Sequence, residues 1–487
     1  MRRMKLVLIA FALCCAGWSM PAAADETTPP SPCEALMRAD FSSATAGAAV
    51  EVVAAQAARI DGIETCRLEG SIDADIGFEI RLPRSGWNGK FLMQGCRAFC
   101  GVLMTDEAND ALKRGYAVAS TDMGHAGSIA DVTWAYNNPK AETDFAARAT
   151  VLTAQLTEAV IDAFYGDAAA YSYYRGCSTG ERKVLTLAQR HPSAFGGLIS
   201  GAPVQFRAGM LNLLNMGTVN DGAAGDDVLD GAALTVLHAH ALVSCDPADG
   251  KADGIIGDPL SCQIDVAELT CDGTGDAPCL TPRQVDAAER IYAGYRNLAG
   301  EQLAPAPLPG SEFNWEAGIL PQENGRTFYT MFAEDILRYM AFENDPGPDY
   351  SWRSFNAERD LPRMNAMAEL MEADDPDLTA FANLGHKLIL YHGWQDDSVA
   401  PLNTVAYAEA VAAEMGPDAL AAFLRLYMIP GMNHCGGGPG YGDVDWLTAL
   451  EAWVERAEAP AGLDGKAWPA GDPAGRATHL PYPLGGG

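Results

Sequence analysis

"YSYYRGCSTGERK", residues 171–183, joins an aromatic run to a charged run through a turn in which glycines flank a serine at two residues' distance. Residues 171–176 read as a buried strand, and "RKVLTLAQRH" (182–191) as the helix that follows. A bare Gly-x-Ser-x-Gly string is common by chance, so its meaning comes from that context. A tight strand-to-helix turn projects the Ser178 side chain above a sheet, and Gly176 and Gly180 relieve crowding around it. The reading requires a parallel sheet whose strands alternate with helices.

The surrounding sequence supplies such strands. "GKFLMQG" (89–95), "GYAVASTDMG" (115–124), "FGGLISGAP" (195–203), "HKLILYHG" (386–393) and "LRLYMIPG" (424–431) are apolar runs ending in turn residues. Helical segments at 144–166 and 405–416 lie between them, and 445–457 carries apolar residues at helical spacing. The alternation breaks after "GAPV": residues 205–370 are rich in Gly, Pro and Asp and read as an inserted lid. The expected fold is α/β, a mostly parallel core formed by 25–204 and 371–487. Residues 33–80 form a smaller N-terminal segment.

A serine is a weak nucleophile until a base takes its proton. In this kind of fold the acid and the histidine follow the serine in that order. "LILYHGWQDDSVAP" places Asp396 and Asp397 directly after a strand, and "LYMIPGMNHCGG" places His434 on the loop after the last one. The expected roles are Ser178 as nucleophile, His434 as base and then acid, and Asp396 as the carboxylate fixing the imidazole. His392 is expected to pack beneath the site. Cys177 precedes the serine and Cys435 follows the histidine. A disulfide between them would tie the nucleophile turn to the base loop.

Composition sets limits around this centre. The chain has 487 residues, 48% hydrophobic and 20% charged, which suits a globular protein with a sizeable core. Arg2, Arg3 and Lys5, a short apolar run and "PAAAD" read as an export signal cleaved after Ala24 (residues 1–24). Ten cysteines remain beyond it, an even number that suits disulfides in a secreted or periplasmic protein, and no Cys-x-x-Cys pair offers zinc-ribbon spacing. A net charge of −31 disfavours nucleic acid and anionic membranes as partners.

Together "GCSTG", "STDMGH", "LILYHGWQDDSVAP" and "MIPGMNHCGGGPG" resemble the tannase and feruloyl esterase family of α/β-hydrolases over about residues 33–457. The resemblance implies the Cys177–Cys435 bond and selects Asp396 over Asp397. It also implies an oxyanion hole made by the backbone N–H of Thr179 and that of Gly95 or Cys96. The chain departs from the family at Glu181, where glycine is usual, and in "GCRAFCG", where Arg97 and Ala98 replace a glycine-rich loop. Arg97 is therefore expected either to pair with Glu181 or to attract a substrate carboxylate.

"CDPADGKADGII" (245–256) brings Asp246, Asp249 and Asp253 together among glycines, as a hard cation requires. Those residues alone leave calcium and a solvated turn equally open. The resemblance favours structural Ca2+, with the carbonyls of Lys251 and Ile255 as further ligands and no organic cofactor. The remaining pairs expected on the same grounds are Cys33–Cys66, Cys96–Cys100, Cys245–Cys262 and Cys271–Cys279. The implied function is a secreted serine esterase acting on small aromatic (phenolic) esters, such as feruloyl or galloyl esters, through an acyl-enzyme. The alternatives are a carboxylesterase for other aromatic monoesters and a catalytically silent binding module.

Overall fold

The computed structural model describes residues 31–223, 225, 228–273, 278–467 and 475–484, so the expected signal segment lies outside the described residues. Six strands run parallel: β4 (Lys90–Gln94), β5 (Ala117–Thr121), β6 (Tyr171–Cys177), β7 (Gly197–Gly201), β10 (Lys387–Gly393) and β11 (Leu424–Ile429). Every residue of β5 and β7 is buried, which explains their unbroken apolar runs: helices cover both faces of a parallel sheet.

The N-terminal segment is more regular than its sequence suggests. It forms three antiparallel strands, β1 (Val50–Ile60), β2 (Ile63–Ile72) and β3 (Ile76–Pro83), and β3 continues the core sheet by pairing antiparallel with β5. The nine strands stand in the order β1-β2-β3-β5-β4-β6-β7-β10-β11. Asp61 (φ 49°) and Gly62 (φ 87°) turn β1 into β2, a two-residue connection with both residues left-handed.

Between β7 and β10 the chain is largely helical, with helices Phe206–Gly217, Gly231–Cys245, Pro282–Tyr292, Glu312–Ile319 and Phe328–Tyr339. Its β8 (Tyr295–Arg296) and β9 (Gln302–Ala304) form one small ribbon. The core helices are Ala149–Tyr165, Thr179–Arg190, Pro401–Met415 and Trp446–Arg456. Pro401 starts its helix four residues before the apolar pattern does, since a first-turn proline loses no helical hydrogen bond.

Five disulfides close Cys33–Cys66, Cys96–Cys100, Cys177–Cys435, Cys245–Cys262 and Cys271–Cys279. Among the described residues no helix is long and apolar enough to cross a membrane.

Candidate active site

β6 ends at Cys177 and a helix begins at Thr179, which leaves Ser178 between them with φ 64°. A non-glycine residue held there costs about 1–3 kcal/mol, so its surroundings must fix it. The Ser178 N–H donates to the Gly201 carbonyl at 3.1 Å, anchoring the turn to β7. The flanking glycines are required by contact as well as by shape. A Cβ on Gly176 would lie 2.7 Å from the Gly180 carbonyl carbon, and one on Gly180 would lie 2.6 Å from the Cys96 oxygen.

Asp396 follows β10 and is fully buried. Its Oδ1 accepts from the backbone N–H of Ser398 (3.0 Å), the Ser398 hydroxyl (3.0 Å) and the backbone N–H of Val399 (2.9 Å). Its Oδ2 accepts from His434 Nδ1 at 2.6 Å and His392 Nε2 at 3.0 Å. Burial alone would raise the Asp396 pKa, but the two imidazoles outweigh it and hold the carboxyl well below the usual carboxylate range. Burial likewise opposes the charged form of His434, yet Asp396 prevails and its pKa stands above the ordinary imidazole value.

His392 is buried beneath the site, as its position suggests, but it also serves Asp396 and is itself held by the Thr404 hydroxyl at 2.7 Å. Asp397 occupies a different environment. Burial and the neighbouring Asp396 push its pKa up to about 7, and the Tyr329 hydroxyl donates to it at 2.7 Å. Tyr329 comes from the insertion, and sequence spacing gave no hint of it.

The Cys177–Cys435 bond joins the two loops with Cα atoms 5.8 Å apart. A ring nitrogen of His434 lies within 4.8 Å of both sulfurs, so the imidazole sits directly against the cross-link. Ser178, Thr179 and His434 line one cavity of about 230 Å³. Core residues Phe99 and Phe145 and insertion residues Phe206, Met210, Phe328 and Phe332 make its walls largely apolar. Phe99 and Phe332 stack with centroids 4.4 Å apart, closing the core against the insertion.

One expectation needs correction. The Gly95 N–H donates to the Arg175 carbonyl at 2.8 Å in the sheet ladder, so it is not available to an oxyanion. The Cys96 backbone packs against Gly180 on the nucleophile turn. Arg97 donates to Glu107 at 3.1 Å, and its charge is felt by His434. The Glu181 side chain lies outside the described residues.

In the Asp-rich loop, Asp246 accepts from the N–H groups of Asp253 (3.2 Å) and Gly254 (3.0 Å). Asp249 and Asp253 accept from Lys251 (2.9 Å) and Ile255 (3.2 Å). The donor chemistry suits calcium, but the three carboxylates do not converge within 4.8 Å of one another. Among the described residues, Cys177, His434 and Cys435 are the group of potential ligands that does.

A family model described as "Tannase and feruloyl esterase" matches residues 60–484. An uncharacterized esterase of Xanthomonas campestris pv. campestris is 32% identical, covering 91% of this chain and 85% of its own. The mono(2-hydroxyethyl) terephthalate hydrolase of Piscinibacter sakaiensis is 33% identical over 82% of this chain and 77% of its own. The crystal structure of feruloyl esterase B from Aspergillus oryzae superposes with a TM-score of 0.78 at 27% identity, covering 89% of this chain and 92% of that one.

Proposed function

The chain belongs to the tannase and feruloyl esterase family of ester hydrolases, and from that premise we propose that it cleaves carboxylic esters of aromatic acids through an acyl-enzyme on Ser178. One observation carries the reading: an imidazole locked by its Nδ1 on buried Asp396 shares an aromatic-walled cavity with a serine on a strained turn.

The chemistry follows from this arrangement. With Nδ1 engaged by Asp396, His434 presents Nε2 as the site that accepts the Ser178 hydroxyl proton. The serine oxygen attacks the ester carbonyl, and the developing oxyanion is met by the N–H groups of Thr179 and Cys96. Each such donor is typically worth about 3–4 kcal/mol. Collapse breaks the acyl–oxygen bond, and His434 returns the proton to the departing alcohol. Water then repeats the sequence on the acyl-enzyme and releases the acid. Asp396 stabilises the transient imidazolium without taking its proton.

The apolar walls suit an aromatic acyl group, and phenolic esters of the feruloyl or galloyl type are the substrates put forward. Terephthalate monoesters are the second reading, favoured by the 33% identity to a hydrolase of that name. A screen of hydroxycinnamate, gallate and terephthalate monoesters tests both. Turnover of none of them, together with no labelling of Ser178 by an active-site phosphonate, would leave a silent binding module. We read residues 25–204 and 371–487 as the catalytic unit and 205–370 as its lid. The five disulfides support an oxidising compartment, periplasmic or extracellular.

Calcium in the 246–255 loop belongs to the same reading, with Asp246, Asp249, Asp253 and the carbonyls of Lys251 and Ile255 as ligands. Its role would be structural. Chelation should lower the melting temperature and abolish terbium luminescence sensitised by the protein. An unchanged melting temperature would remove the metal from the account.

A further inference from the structure

The helix Phe206–Gly217 has two lined faces. Phe206, Met210 and Leu213 face the active-site cavity, while Leu214 and Asn215, with Thr218 just beyond the helix, face a second cleft of about 360 Å³ on the insertion. Arg290, Arg296 and Arg353 line this cleft together with Tyr295, Trp352 and Phe355. Three guanidiniums around one concavity are unexpected in a chain of net charge −31.

Two of them, Arg290 and Arg296, have only neutral partners. Arg290 donates to the Thr218 hydroxyl, and Arg296 to the carbonyls of Ala293 (3.1 Å) and Gly300 (2.8 Å). Among the described residues no carboxylate comes within 4.0 Å of either. Asp286 stands one turn before Arg290 without reaching it, and Glu358 caps the Leu298 N–H at 2.8 Å. Arg353 lies 4.5 Å over the Trp352 ring and is paired with Asp221 at 3.4 Å, while Arg326, which also reaches Asp221 at 2.7 Å, has Glu334 as a second partner at 3.1 Å. The cleft thus combines excess positive charge with apolar, aromatic walls.

We propose that this cleft is a second ligand site, selective for small aromatic carboxylates. A guanidinium fork matches a carboxylate with two parallel hydrogen bonds, and the rings of Tyr295, Trp352 and Phe355 cover the flat body of such a ligand. The free acid released by an aromatic esterase falls in this class. The site itself stands on charge and shape, independently of the catalytic reading.

The test is binding of 4-hydroxycinnamate to the full-length protein by calorimetry, with cinnamamide as the neutral control. Wild-type protein should bind the acid, and 0.5 M salt should weaken that binding. Arg290→Gln/Arg296→Gln should weaken it at least tenfold at an unchanged melting temperature. If that double variant folds poorly, Arg296→Lys should still lose affinity, since lysine keeps the charge but not the fork. Undiminished binding in the arginine variants would place the acid elsewhere and overturn the proposal. So would equal binding of cinnamamide. The readout is affinity, so its failure is separate from any failure of ester hydrolysis.

Discussion

At the scale of single residues, Asp396 and Asp397 are chemically identical neighbours given opposite protonation by their surroundings. Asp396 faces two imidazoles and stays ionised, while burial and the charge of Asp396 push the Asp397 pKa up to about 7 against the Tyr329 hydroxyl, whose hydrogen bond favours the carboxylate. His434 must be neutral to accept a proton, and its pKa lies above the ordinary 6.5. The acid limb of kcat/KM should therefore have its midpoint above pH 6.5. Asp396→Asn should move that midpoint down and reduce kcat by roughly 10³–10⁴-fold, measured as a pH–rate profile. Asp397 gives the reverse test. Its folded pKa of about 7 exceeds the unfolded value, so its stabilising contribution is complete below about pH 4 and is lost as pH rises through 7. Asp397→Asn retains an acceptor for Tyr329 and should raise the melting temperature more at pH 8 than at pH 5. The serine, histidine and Asp396 were legible because their order along the chain and the strands before them constrain where they fall. Tyr329 was not, because its contact with Asp397 is made across the fold, and the bond of His392 to Asp396 was not, because it depends on how the loop after β10 folds back on the strand.

At the scale of elements, the parallel strands could be read because double-sided burial writes unbroken apolar runs. The β1–β2 hairpin could not. β1, "VEVVAAQAARI", is mostly exposed or half-buried and carries little apolar signal, although the Asp61-Gly62 pair between two such runs is a hairpin mark. Gly95 failed as an oxyanion donor for a related reason. A sequence names the loop but not the residue at which the sheet ladder ends, and that ladder reaches one residue further than expected. The turn at Ser178 yields its own prediction. Gly180→Ala places a methyl 2.6 Å from the Cys96 oxygen, forcing apart the two segments assigned to the oxyanion. We expect kcat to fall about 100-fold with KM changed far less, since a shift near 1 Å costs about that much. Wild-type kcat in this variant would mean that the Cys96 loop does not take part.

At the scale of the whole molecule, two disulfides join distant parts of the chain with different expected effects. Cys33–Cys66 pins the short helix Pro32–Ala35 to β2 within the N-terminal segment, whereas Cys177–Cys435 spans 258 positions and lies against His434. Replacing either pair with serines should cost about 2–5 kcal/mol of stability in denaturant titrations. Only Cys177→Ser/Cys435→Ser should also lower kcat in protein that is fully folded at the assay temperature. Equal kcat in the two double variants would reduce the second bond to a general staple. The placement of that bond bears on when the enzyme becomes competent. A newly made chain in a thiol-reducing cytosol has no covalent tie between its attacking hydroxyl and its proton acceptor, and gains one only on reaching an oxidant. Maturation by sulfur chemistry would then act as a timer on hydrolysis.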